Sequence, residues 1–150
     1  MGRMVRELRA AGLDPSAVMP RLPTPSAVQS AESDRIAFLG DPVGDGVTRK
    51  IEYRLDLSLE TPVLRRQQWS TWNSGWSGTN GAQPLAERIS SAEFMYFGPD
   101  GSAIPPSGLP ARIGEIRRVR IVLEATSSSA DHAQQAYVLV SEVRIRNAGL

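Results

Sequence analysis

Residues 51–60 read Ile51-Glu-Tyr-Arg-Leu-Asp-Leu-Ser-Leu-Glu60, the cleanest alternation in the chain. Ile51, Tyr53, Leu55, Leu57 and Leu59 take one set of positions, and Glu52, Arg54, Asp56, Ser58 and Glu60 the other. Side chains of an extended chain point to opposite faces in turn, so this pattern predicts a ten-residue strand with one dry and one wet face. Thr61-Pro62 breaks it, and Val63 to Trp69 is expected to return as its hairpin partner, with a polar stretch from Ser70 to Gln83 beyond. Upstream, Arg35-Ile-Ala-Phe-Leu39 is a short apolar strand followed by a turn cluster, Asp41-Pro-Val-Gly-Asp-Gly46. Downstream, Leu85 to Ile89 reads as one helical turn, and Ala92 to Phe97 as an aromatic strand closed by Gly98-Pro-Asp-Gly101. A Pro-rich loop, Ile104 to Pro110, precedes two last strands.

In those strands Val119, Ile121 and Leu123 share one face, and Tyr137, Leu139, Val143 and Ile145 share another. Centring their hairpin near Ala130 sets Leu123 opposite Tyr137, Ile121 opposite Leu139 and Arg118 opposite Glu142. Apolar pairs then lie inside and a charge pair outside, each worth roughly 0.2–1 kcal/mol.

At the other end, Met4, Val5, Leu8 and Ala11 form a narrow apolar stripe on an otherwise basic helix, which Gly12 can terminate. Asp14-Pro15 prevents its resumption. Residues 14–33 are rich in Pro, Ser and Ala and read as an ordered loop. The whole is expected to be one domain over residues 1–150: the end of a helix over 1–12, a loop over 13–34 and a β-rich head over 35–147. A short helix with one apolar stripe needs a dry sheet face to cover it. The expected fold class is therefore α+β, a short N-terminal α-helix packed on a mainly antiparallel β-sheet.

Composition narrows function. Lys and Arg number 17 against 16 Asp and Glu, a formal charge of +1, which argues against nucleic-acid binding through bulk charge. The chain is 41% hydrophobic, too apolar for a disordered protein, and has no apolar run near the ~20 residues that cross a bilayer. Cysteine is absent and histidine is single, so neither a thiolate site nor an ordinary zinc site can form. His132 lies in a polar loop with neither a nucleophile elbow nor a Gly-x-Ser-x-Gly motif, so no enzyme activity and no cofactor are expected.

Several segments, taken in order, resemble one family. Arg6-Glu-Leu-Arg-Ala-Ala-Gly-Leu-Asp-Pro15 resembles the exit from the long N-terminal helix of PilW-like and GspJ-like minor pilins and pseudopilins. There a leucine-arginine pair, a small residue and a glycine precede a loop; here these are Leu8, Arg9, Ala10, Ala11 and Gly12. The resemblance runs on through Ile36-Ala-Phe-Leu39, Asp41 with Asp45-Gly46, Ile51 to Asp56, and Leu64-Arg65. It ends with Arg117 to Leu123 and Val143-Arg-Ile-Arg-Asn147, similar to that family's last two strands.

The resemblance implies a non-enzymatic subunit that primes or caps a type IV pilus or type II secretion pseudopilus. Its partners would be other minor subunits and the major pilin, with its head in the periplasm on an inner-membrane anchor, or at a pilus tip. The family also has a cleavable leader and an apolar membrane-spanning helix with a glutamate near its start. Met1-Gly2 is expected to be a start placed just downstream of that helix.

Three constellations are candidates for chemistry. Asp41 and Asp45 put two carboxylates in a Gly-containing turn, as Ca²⁺ sites do, but the EF-hand pattern is missing and a structural turn is the plainer reading. Trp69, Trp72 and Trp76 lie among Ser, Thr, Asn and Gly and could form a lid on the sheet, a partner-facing patch, or a platform for sugars or single-stranded DNA. An extracytoplasmic carbohydrate- or DNA-binding module using those indoles is the alternative function. With Val5 and Leu8 of the helix, they are the candidate partner-binding residues. Finally, Arg117, Arg118, Arg120, Arg144 and Arg146 could hold an acidic partner, although Glu115, Glu124 and Glu142 favour a mutually paired, solvated face.

Overall fold

The computed structural model describes residues 1–23, 25–79, 81–126 and 135–146. After an eight-residue helix α1 (Gly2–Arg9), the chain forms β1 (Val28–Ala31), β2 (Arg35–Gly40), β3 (Arg49–Asp56) and β4 (Val63–Trp69). A small hairpin, β5 (Thr71–Trp72) and β6 (Trp76–Ser77), leads to β7 (Gln83–Glu87) and β8 (Ile89–Phe97). Then come β9 (Ala103–Ile104), a four-residue helix α2 (Leu109–Arg112), β10 (Arg118–Thr126) and β11 (Ala136–Arg144).

These strands make a five-stranded sheet in the order β1-β2-β3-β4-β7, a four-stranded sheet in the order β11-β10-β8-β9, and the β5-β6 hairpin. Neighbouring strands pair antiparallel throughout. The chain passes from the first sheet to the second at Arg88, whose φ of 60° turns β7 directly into β8. Positive φ is uncommon outside glycine, so this corner is held by its surroundings. Backbone bonds from Ile89 to the Pro62 carbonyl and from Phe94 to the Ser33 carbonyl tie the second sheet to loops of the first.

One main core joins both sheets. Phe38, Ile51 and Tyr53 come from the first; Phe94, Tyr96, Val119, Ile121 and Val143 come from the second. Full burial of side chains this size contributes roughly 1.5–3 kcal/mol each. The rings of Phe38 and Tyr53 stack 6.3 Å apart. Tyr96 donates its hydroxyl to the carbonyls of Glu32 and Arg35, so even its polar end fastens one sheet to the other. Met4 and Leu8 of α1 are fully buried in this core. A smaller cluster holds Val18, Leu22 and Leu39.

The expected α+β class is overturned. Strand accounts for 47% and helix for 15%, in three sheets with only short helices, so this is a mostly antiparallel β protein. At eight residues, α1 is below the length at which a helix stands alone, and it has neither a side-chain cap nor an acidic residue in its first turn. It builds no layer of its own; the two larger sheets supply most of the core.

Four finer expectations also change. The alternating strand stops at Asp56, whose carboxylate bonds the backbone and hydroxyl of Ser58, and Leu57 and Leu59 are exposed in the turn. Leu85 to Ile89 is not helical: it holds the end of β7, the corner at Arg88 and the first residue of β8, and Pro84 is tolerated because β7 is an edge strand. The stretch read as a loop over 13–34 contains a 3₁₀ turn, Met19–Arg21, and β1. The β10–β11 register is two residues from the expected one, with Leu123 opposite Leu139 and Arg118 opposite Arg144. A shift of two preserves the faces, so the alternation alone could not detect it.

The end of α1 is stitched to β2. Ala11 bridges to Gly40, and Gly12, at φ 86°, donates to the Leu39 carbonyl at 2.8 Å. A Cβ at Gly40 would lie 2.6 Å from the carbonyl oxygen of Ala10, which is backbone and cannot swing away. Gly40→Ala is therefore expected to destabilise the fold by about 1–3 kcal/mol. That corresponds to a fall in melting temperature of about 2–4 °C per kcal/mol. Thermal denaturation checks it, and an unchanged Tm would show that the two segments can separate freely.

Candidate docking surfaces

Glu7 is the least expected feature of α1. It is buried, and its carboxylate receives four donors: Arg3 Nε at 3.1 Å and Arg66 Nη2 at 3.0 Å on Oε1, and Arg66 Nε at 2.9 Å with the Tyr53 hydroxyl on Oε2. Arg66 also donates to Gln68 Oε1 at 2.6 Å. Burial pushes the Glu7 carboxyl up, but the hydrogen bonds from Arg66 and Tyr53, together with the Arg66 charge and Arg3, hold it below the usual carboxylate range. Burial also raises the Tyr53 hydroxyl, reinforced by the adjacent carboxylate, so it stays protonated as a donor. The cluster thus fixes the rotation of α1 against β3 and β4. Leu8 is fully buried beside it, and Val5 is partly buried against the same core.

In the turn after β2, Asp41 accepts backbone N–H bonds from Gly44 at 2.8 Å and Gly46 at 2.9 Å. Asp45 is paired with Arg49 at 2.6 Å, and that guanidinium holds its carboxyl down at about 2. Arg49 also stands 3.6 Å from Asp41. The carboxylate oxygens are already met by N–H donors and an arginine, a setting that suits a closed turn and disfavours a calcium ion.

The three tryptophans separate. Trp69 ends β4, with the Lys50 ammonium 4.8 Å from its ring centre. Trp72 and Trp76 face each other across the β5–β6 hairpin, their rings 5.4 Å apart and tilted by 58°. Both pack against the smaller cluster of Val18, Leu22 and Leu39, which they cover as a lid. His132 lies outside the described residues.

Two exposed surfaces lie on β11 and the turn just after it. This strand is one edge of the four-stranded sheet, with α1 packed against part of it. Val143 is buried, as expected, but Tyr137, Val138, Leu139 and Val140 are 51%, 59%, 48% and 62% exposed. Tyr137 and Leu139 continue the inward-facing row with nothing described above them, while Val138 and Val140 point outward, so this half of the edge is apolar on both faces. The register shift also changes the arginine face. Glu142 pairs with Arg118 at 2.8 Å and Arg120 at 3.0 Å, and Glu115 with Arg112 at 2.7 Å. Arg144 and Arg146 are exposed and form no ion pair or hydrogen bond among the described residues.

Comparison with known proteins finds no matching family model and no matching curated protein. Among the described residues, no helix is long and apolar enough to cross a membrane.

The Glu7 cluster makes a pH prediction. A carboxyl whose folded pKa lies below its ordinary value of 4.5 binds fewer protons when folded, so its contribution is complete above that value and is lost as pH falls through the folded pKa. Urea midpoints of the wild type should therefore fall below pH ~4.5, and Glu7→Gln should remove part of that dependence. At neutral pH the substitution leaves Arg66 buried without a counter-charge, at a cost of about 3–5 kcal/mol. Equal midpoints for both proteins across this range would refute the pairing.

Proposed function

We propose that this chain is the head of a minor pilin or minor pseudopilin, a non-enzymatic subunit that primes or caps a type IV pilus or type II secretion filament by docking to other subunits. The observation that supports this reading is the β11 edge. Four consecutive apolar side chains beside unpaired backbone donors and acceptors are a hazard in a solitary protein and a ready contact for a partner. The resemblance of the α1 exit and of the last two strands supplies the family. In this reading α1 continues upstream into an apolar, membrane-rooted helix, and the head lies in the periplasm or at a filament tip.

The test is genetic. Upstream of Arg3 the parent gene should encode ~20 apolar residues in continuous helical phase with α1. Deleting the gene should abolish surface filaments or secretion. Complementation with Val138→Lys/Val140→Lys should fail although the protein accumulates, because both side chains are exposed and such changes cost within about 0.5 kcal/mol. A cleaved secretory signal directly before Arg3, or normal filaments and secretion in the deletion strain, would overturn the reading.

A further inference from the structure

The outer face of β10 and β11 carries more positive charge than its own carboxylates neutralise. Arg144 stands directly opposite Arg118 across the ladder, an arrangement of like charges that weakens strand pairing unless an anion lies between them. Of the carboxylates on this face, Glu124 lies at the far end of β10, opposite Val138, and Glu142 is shared by Arg118 and Arg120, which also lie over the Phe97 ring at 4.5 Å and 5.4 Å. Arg117 turns to the carbonyls of Gly114 and Ile116. Arg144 at the end of β11, Arg146 in the turn beyond it, and Arg9 at the end of α1 remain without a partner among the described residues.

These side chains line two open clefts that share Arg144 and Arg146. One, of about 590 Å³, is completed by Arg9 and Glu142; the other, of about 540 Å³, by Arg117, Arg118 and the turn at Asp100. Five arginines face two carboxylates across the pair of clefts, a local charge of +3 in a chain whose total is +1. Asp100 is itself engaged by the backbone and hydroxyl of Ser102.

We propose that this face binds an acidic, extended segment of a partner protein. Arg144, the last residue of β11, and Arg146, in the turn just after it, are both exposed on either side of the buried Ile145, and with Arg9 they leave a local excess of positive charge for a run of carboxylates to meet. A guanidinium offers a planar pair of N–H groups to each carboxylate. Both clefts are open to solvent, so an extended segment can be laid across them. This inference rests on the reading of the chain as a docking subunit and names the chemistry of one contact.

The probe is a fluorescein-labelled (Glu-Thr)₅ peptide, followed by anisotropy at low salt, with (Lys-Thr)₅ and phosphatidylglycerol vesicles as comparisons. The acidic peptide is expected to bind and to weaken as salt rises. Arg144→Ala/Arg146→Ala should lose about tenfold in affinity or more, Arg9→Ala should lose less, and Arg54→Ala on the other sheet should be unchanged. All should melt with the wild type, since these side chains are exposed. No binding, an equal loss with Arg54→Ala, or binding to the vesicles and not to the peptide would overturn the proposal. Absence of peptide binding in a protein whose gene deletion does abolish filaments would remove this site and leave the docking-subunit reading in place.

Discussion

A single carboxylate in the dry interior sets the position of α1 and thereby much else. Glu7 can be ionised there only because Arg66 offers two N–H groups, Arg3 a third and Tyr53 a hydroxyl. Such a cluster adds little net stability compared with an apolar replacement, since desolvation offsets most of the Coulomb attraction. Its effect is on specificity. Leucine and methionine tolerate many rotations of a short helix, whereas a bidentate arginine with a tyrosine hydroxyl accepts one. Once α1 is so held, Ala11 and Gly12 meet β2 at Gly40 and Leu39.

Antiparallel pairing does the remaining construction, and it has a cost at the boundary. The core is closed where β8 meets β2, β3 and β4, and the four-stranded sheet ends at β11, which has α1 against it but no further strand among the described residues. Near Val143 and Ile145 the edge strand is buried; toward Tyr137 it leaves the core behind. The same strand therefore presents exposed apolar side chains at one end and, at the other, Arg144, which has no ion pair among the described residues.

Local pattern was a good guide where local energetics decide. Val63 to Trp69 is a strand with the limits read from its sequence, because Thr61-Pro62 interrupts the chain whatever lies around it. The same logic overran at Leu57 and Leu59, whose alternation is sound but whose partner strand has already ended at Val63. Glu7 carried a signal that charge obscured: it lies three residues after Met4 and four before Ala11, on the apolar stripe itself. Of the candidate site residues, Trp72 and Trp76 come together across a hairpin, while Trp69 and the Asp41–Asp45 turn each satisfy a local role. The arginine face was visible as a list of residues, but its imbalance was not, because a two-residue change of register decides which arginine Glu142 can reach.

The sequence by itself determined that the chain is built of short strands, roughly where β2, β3, β4, β8, β10 and β11 run, and which side of them is dry. These follow from periodicity, turn residues and composition, which act over a few residues. Tertiary structure alone decided that strand outweighs helix, that Glu7 is buried with Arg66, and that, among the described residues, half of β11 is exposed and Arg144 has no ion pair. Those outcomes depend on which segments lie beside one another at long range. A pattern of period two or 3.6 states which face is dry, but it does not state what, if anything, will cover that face.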